Sequence, residues 1–165
     1  MQAPKTLFFT GLLIAGLVIV LDQLSKWLVL AKIAIPPHSN MELLPFFNIV
    51  LVWNYGISFG MFAADRQPLL LVLMSAAIVL VLLAWLGRNT SKLQAVALGL
   101  VIGGALGNVI DRLRFEAVVD FLDVHLGSYH WPAFNIADSC IFIGVVLLCG
   151  GGMFTSPKTS TGVTP

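Results

Sequence analysis

The chain has 165 residues, of which 58% are hydrophobic and only 10% charged, with a formal net charge of +1. Its mean hydropathy is +0.95. A soluble domain carries about 25% charged residues, so this surface cannot face water on all sides and the bilayer is its solvent. The length suits one compact unit, and the charge gives no reason to expect nucleic acid as a partner.

A helix needs about 20 mostly apolar residues to cross the hydrocarbon, and four segments qualify. The first runs from about Leu7 to Leu30. Its Leu7–Leu21 stretch behind Lys5 has the look of a secretory h-region. Asp22 and Lys26 nevertheless continue the helical pattern and no small-x-small cleavage site follows, so an uncleaved span is expected. The loop from about Ile33 to Gln67 is too long and apolar for a simple connector. Phe46 to Trp53 reads as a strand between Pro45 and the Asn54-Tyr55-Gly56 turn, with Ile57 to Phe62 as a second strand or half-inserted segment. A hairpin of this kind needs support from lipid or helices.

The second span, Pro68 to Leu86, has no charge, and the third covers Gln94 to about Leu113. Gly99, Gly103 and Gly107 recur every four residues along the third, where a neighbouring helix, or a second copy, can approach closely. The fourth span is about Asn135 to Phe154, and the Ser/Thr/Pro-rich tail 155–165 is expected to be disordered. Cys140 and Cys149 lie within the fourth span as small packing residues rather than a disulfide or metal pair. The expected fold is thus an all-α integral membrane protein, a four-helix bundle with a small β-rich segment, forming one embedded domain over 1–154.

Threading the spans up and down places all eight acidic residues toward one membrane face. The terminal face has Lys5, Arg88, Lys92 and Lys158, against Lys26, Lys32, Arg66, Arg112 and Arg114 on the acidic side. Charge counting therefore leaves the orientation open. Ionisable groups within spans are costly and so are functional candidates. Asp22 and Lys26 stand four apart and can pair, while Asp111 beside Arg112 has the character of a charge-paired scaffold. Asn108 lies one turn deeper and can position a helix or a substrate.

Asp120 and Asp138 form the sharper pair. Asp120 sits in the apolar run Val118-Val119-Asp120-Phe121, and Asp138 lies roughly 4.5 Å into the fourth helix, on the same face as Asn135. Antiparallel neighbours bring both carboxylates to one depth. Two carboxylates in a poorly hydrated site cannot both ionise easily, so one can activate water while its protonated partner polarises a carbonyl. His38, His125 and His130 look scattered and solvated, and no His-x-x-x-His spacing suggests a metal site. A proton-coupled carrier using the same carboxylates and a structural assembly subunit remain open on the pattern alone.

Five ordered blocks carry a family resemblance. They are Leu21 to Lys26, Asn54 to Gly60, Gly103 to Asn108 with Asp111-Arg112 behind it, Val118 to Phe121, and Pro132 to Ser139. With the four spans, the chain resembles the bacterial lipoprotein signal peptidases (signal peptidase II) along nearly its whole length. The family often has Ala at the position of Ile57 or Ser58, a departure that touches no candidate catalytic group. The resemblance implies an aspartic endopeptidase whose catalytic dyad is Asp120 and Asp138. Asp22, Asn54, Gly56, Asn108, Arg112 and Asn135 would line or support the site. It further implies cleavage of a prolipoprotein on the amino side of a diacylglyceryl-modified cysteine, without metal or organic cofactor. The expected setting is the inner membrane, among lipids and as a monomer, with cytoplasmic termini and an outward-facing site. Asn54 and the turn at Gly56 would belong to a lid over the substrate.

Overall fold

In the computed structural model the described residues are 4–32, 40–56, 68–89 and 91–153. They form four helices and four short strands: α1 Pro4–Lys32, β1 Asn40–Leu44, β2 Phe47–Asn54, α2 Pro68–Gly87, α3 Lys92–Phe115, β3 Val118–Leu126, β4 Tyr129–His130 and α4 Ile136–Met153. The expected helices recur within a few residues at each end. α1, α2 and α3 are long and apolar enough to cross a membrane, whereas α4 is a shorter apolar helix.

The packing inverts that of a soluble protein. Large apolar side chains point outward along the helices, with Leu13 75% exposed on α1, Leu80 67% on α2 and Phe142 70% on α4. The groups that water would normally hold are inside: Asp22, Lys26, Asn108, Asp111, Asp120 and Asn135 are all buried. Lipid solvates the first set without cost, while the second must find partners within the protein.

α3 is the central helix, touching α1, α2 and α4. Its glycines make this possible. A Cβ on Gly99 or Gly103 would fall 2.6 Å or 2.7 Å from the backbone oxygen of Gly11 or Ala15 on α1. Gly104 faces the other way and meets the Ala137 carbonyl of α4. The stripe therefore packs helices of the same chain. Toward the terminal end, Leu7, Leu86, Leu98 and Ile102 close an apolar core among α1, α2 and α3.

The sheet is larger than the sequence suggests. β1, β2, β3 and β4 form one antiparallel sheet in that order, so half its strands come from Val118 to His130, between the third and fourth spans and outside the expected β-rich segment. Aspartates at 120 and 123 break the apolar alternation that signals a strand. Pairing with β2 decides the outcome, with Val52 opposite Asp120 and Asn54 opposite Val118. Glu116 ends α3 in the left-handed region, at φ 59°, with its N–H donating to the Arg112 carbonyl. This turn sends the chain directly into β3. Residues 57–67, including the expected second strand and the rest of the expected lid, lie outside the described residues, as does the tail.

His125 and His130 are not scattered. They face each other across the β3–β4 hairpin with ring centroids 4.7 Å apart, and His130 bonds the Asp123 carboxylate at 2.9 Å. Burial alone would raise Asp123, but the His130 and Asn48 hydrogen bonds outweigh it and hold that carboxyl below its ordinary value. His38 lies outside the described residues.

Candidate active site

The polar end of the molecule is built around the start of α4. Asn135 is the residue before the helix, and its Oδ1 accepts from the Asp138 N–H at 2.9 Å. Its own N–H donates to Asp138 Oδ2 at 3.3 Å. This reciprocal pair is a capping box, here made with Asn and Asp. The box fixes the carboxylate of Asp138 in place at the helix N-terminus, where the dipole favours negative charge. The next orphan amide, that of Ala137, donates to Asp22 Oδ1 at 3.0 Å, so α1 caps α4 from outside.

Asp120 reaches the same point from β3. Asn54 Nδ2 donates to its Oδ2 at 2.9 Å, and Asn135 Nδ2 to its Oδ1 at 2.7 Å. Asn135 thus bonds both carboxylates, one through its side chain and one through its backbone. Asn108 completes the frame, donating from Nδ2 to Asp138 Oδ1 at 2.8 Å. Burial first, and then the charge of Asp138, push Asp120 up to about 7, although the Asn54 and Asn135 bonds pull the other way.

Every expected site residue among those named is found at this end. Asp22, Asn54, Asn108, Asn135, Asp120 and Asp138 belong to one connected network. Gly56 and Arg112 meet at its edge, where the guanidinium donates to the Gly56 carbonyl at 3.0 Å. The Gly56 N–H in turn donates to Asn54 Oδ1 at 3.0 Å, which leaves the amide's NH2 group facing Asp120.

One expectation changes. Asp111 makes its ion pair with Lys26, at 2.8 Å, rather than with the adjacent Arg112. Neighbours in a helix point about 100° apart, whereas α1 brings Lys26 straight onto the face of Asp111. Gln23 was missed altogether. Its Nε2 donates to Asp111 Oδ1 at 2.8 Å and to the Gly107 carbonyl at 3.2 Å. Only its three-residue spacing from Lys26 hinted at this role.

Among the described residues no cluster of three or more His, Cys, Asp or Glu side chains is arranged to hold a metal ion. A groove of about 400 Å³ on the sheet is lined by Val50, Val52, Asp123, His130 and Trp131 to Ala133, none of them among the expected site residues.

Comparison with known proteins places the chain in a family. The family model described as "Signal peptidase (SPase) II" matches residues 14–154. A lipoprotein signal peptidase of Sphingopyxis alaskensis is 40% identical over 151 residues, covering 90% of this chain and 87% of that one. Another, from Methylocella silvestris, is 40% identical over 163 residues, covering 98% and 94%. A solved structure described as a bacterial membrane enzyme superposes with a TM-score of 0.79 at 32% identity, covering 94% of each chain. The chain belongs to the signal peptidase II family.

Proposed function

We propose that this chain removes the signal peptide from diacylglyceryl-modified prolipoproteins, with Asp120 and Asp138 as its catalytic pair. The observation that carries the reading is Asn135, which bonds both buried carboxylates at once and so holds them at one point. With one proton shared between them, the ionised member draws a proton from water as that water attacks the scissile carbonyl. The protonated member hydrogen-bonds the carbonyl oxygen as negative charge develops there. Collapse of the tetrahedral intermediate breaks the C–N bond, and the departing cysteine amine takes the proton that came from the water. The substrate then leaves as a free signal peptide and a lipid-bearing N-terminal cysteine. No third group has to supply or remove a proton.

Asp22, Asn54, Asn108, Arg112 and Asn135, with the turn at Gly56, act as the supporting frame. α4 serves as the fourth span, which puts both termini on one side. With those termini cytoplasmic in the bacterial inner membrane, the sheet and the dyad sit at the outer surface, where the cysteine's acyl chains remain in lipid while the scissile bond meets water. The protein works as a monomer in this account, since the glycine stripe of α3 is used within the chain. No observation favours the carrier reading. The buried carboxylates cluster at one end of the helices, whereas carriers place their sites near the midplane.

The test is cleavage of a diacylglyceryl-modified prolipoprotein by the purified protein in lipid, with products identified by mass. Cutting immediately before the modified cysteine is expected. Failure to cut, or cutting elsewhere, overturns the reading.

A further inference from the structure

We propose that Lys26 is a positioning residue for both aspartates, a buried ammonium from which the placement of the whole dyad is set. The proposal rests on the dyad reading above and adds a residue to it.

Lys26 is 2% exposed. An ammonium has three donors and no acceptor, and each must be used if it is buried. The three are used here: Asp22 Oδ2 at 2.8 Å, Asp111 Oδ2 at 2.8 Å and Asn108 Oδ1 at 3.1 Å. What singles Lys26 out is where these acceptors lead. Asp22 accepts the N–H of Ala137, the residue immediately before Asp138. Asp111 accepts the N–H of Val119, the residue immediately before Asp120, at 3.1 Å. Asn108 bonds Asp138 itself. Each path from the ammonium ends on one of the two carboxylates or on the residue immediately before it.

A structural ion pair would need only Asp22, one turn away on the same helix. The third contact also decides a direction. With its oxygen held by Lys26, the Asn108 amide can only turn its NH2 group to Asp138. Asn135 Nδ2 donates to the same oxygen at 3.2 Å, so loss of the cation removes the charged one of the two restraints that keep the amide from flipping.

The charge acts over the same distances. Among the described residues, the ionisable groups facing this cluster are Asp22 and Lys26 on α1, Asp111 and Arg112 on α3, Asp120 on β3, and Asp138 and Cys140 on α4. Two cations stand against four carboxylates. Removing one cation makes it harder for the dyad to release its remaining proton.

The test compares Lys26→Met and Lys26→Arg with wild type, as full-length protein in lipid, on a lipid-modified prolipoprotein. Lys26→Met is expected to lower kcat by about a hundredfold with little change in KM, as a small misplacement of reacting groups does. Its alkaline limb should move to higher pH. Lys26→Arg keeps the charge, so its limb should stay in place, but its planar fork cannot reproduce three point contacts and kcat should still fall. Wild-type kcat and an unmoved limb in folded Lys26→Met, with only a lower thermal midpoint, would make Lys26 a structural ion and overturn the proposal. If that variant does not fold, Lys26→Arg decides, since wild-type kcat there contradicts three-point placement. The dyad is tested apart: an active Asp120→Asn protein removes the dyad reading, whereas an inactive one beside a normal Lys26→Met removes only this inference.

Discussion

Asn135 does three things with one side chain and one amide. It caps α4, fixes Asp138 through the capping box and donates to Asp120. Replacing it by Ala should therefore lower stability and activity together. Loss of a cap costs about 1 kcal/mol, and loss of a donor to a reacting group about a hundredfold or more in kcat. A melting curve and single-turnover cleavage on the same sample check both parts. Asn54 offers a cleaner experiment because it caps nothing. Its donated hydrogen bond favours the ionised form of Asp120, so Asn54→Ala should raise that group further above 7. The shared proton is then kept to higher pH. The alkaline limb of kcat/KM, expected near 7 in wild type, should move upward, and a downward shift would contradict the arrangement. At this scale much of the proposed site was legible in the sequence: Asp120, Asp138, Asn108 and Asn135 carry the motifs, and the structure brings them together. Lys26 and Gln23 were harder, because spacing within α1 reveals the Asp22 partner and says nothing of Asp111, which arrives from another helix.

At the scale of elements, the tight approach of α3 to α1 makes a prediction that separates two glycines. A side chain at Gly103 would meet the Ala15 backbone and the Val18 side chain at under 3 Å, whereas nothing lies within 4 Å of a Cβ at Gly16. Gly103→Val should destabilise the fold by about 1–3 kcal/mol, as overpacking does. Gly16→Ala should be neutral or slightly favourable, since alanine suits a helix better. Thermal unfolding in detergent measures both. The helices themselves were readable because each carries a long apolar run, uncharged throughout in α2, that leaves few alternatives. β3 was not, since two aspartates interrupt its pattern and only the partner strand β2 shows why the segment is extended. The same strand brings Asp120 beside Asp138, so the missed element is the one that carries half of the proposed dyad.

At the scale of the whole molecule, the apolar exterior and polar interior belong to a protein solvated by lipid, with its buried carboxylates gathered at one end. A cysteine placed at Leu126, which is 83% exposed on the sheet, should react with a membrane-impermeant thiol reagent from outside intact cells. Replacing the native Cys140 and Cys149 by Ala beforehand removes background labelling. A second reporter at either terminus should stay protected until the membrane is permeabilised, and the opposite pattern would reverse the proposed orientation. The central claim is that Asp120 and Asp138 act as one catalytic unit. The most direct measurement is cleavage of a lipid-modified prolipoprotein by wild type, Asp120→Asn and Asp138→Asn, each with its helix content verified. The account predicts that both folded variants lose cleavage by on the order of a thousandfold or more, and that combining them adds little, because the two groups share one proton and one step. Near-wild-type turnover in either folded variant would contradict it.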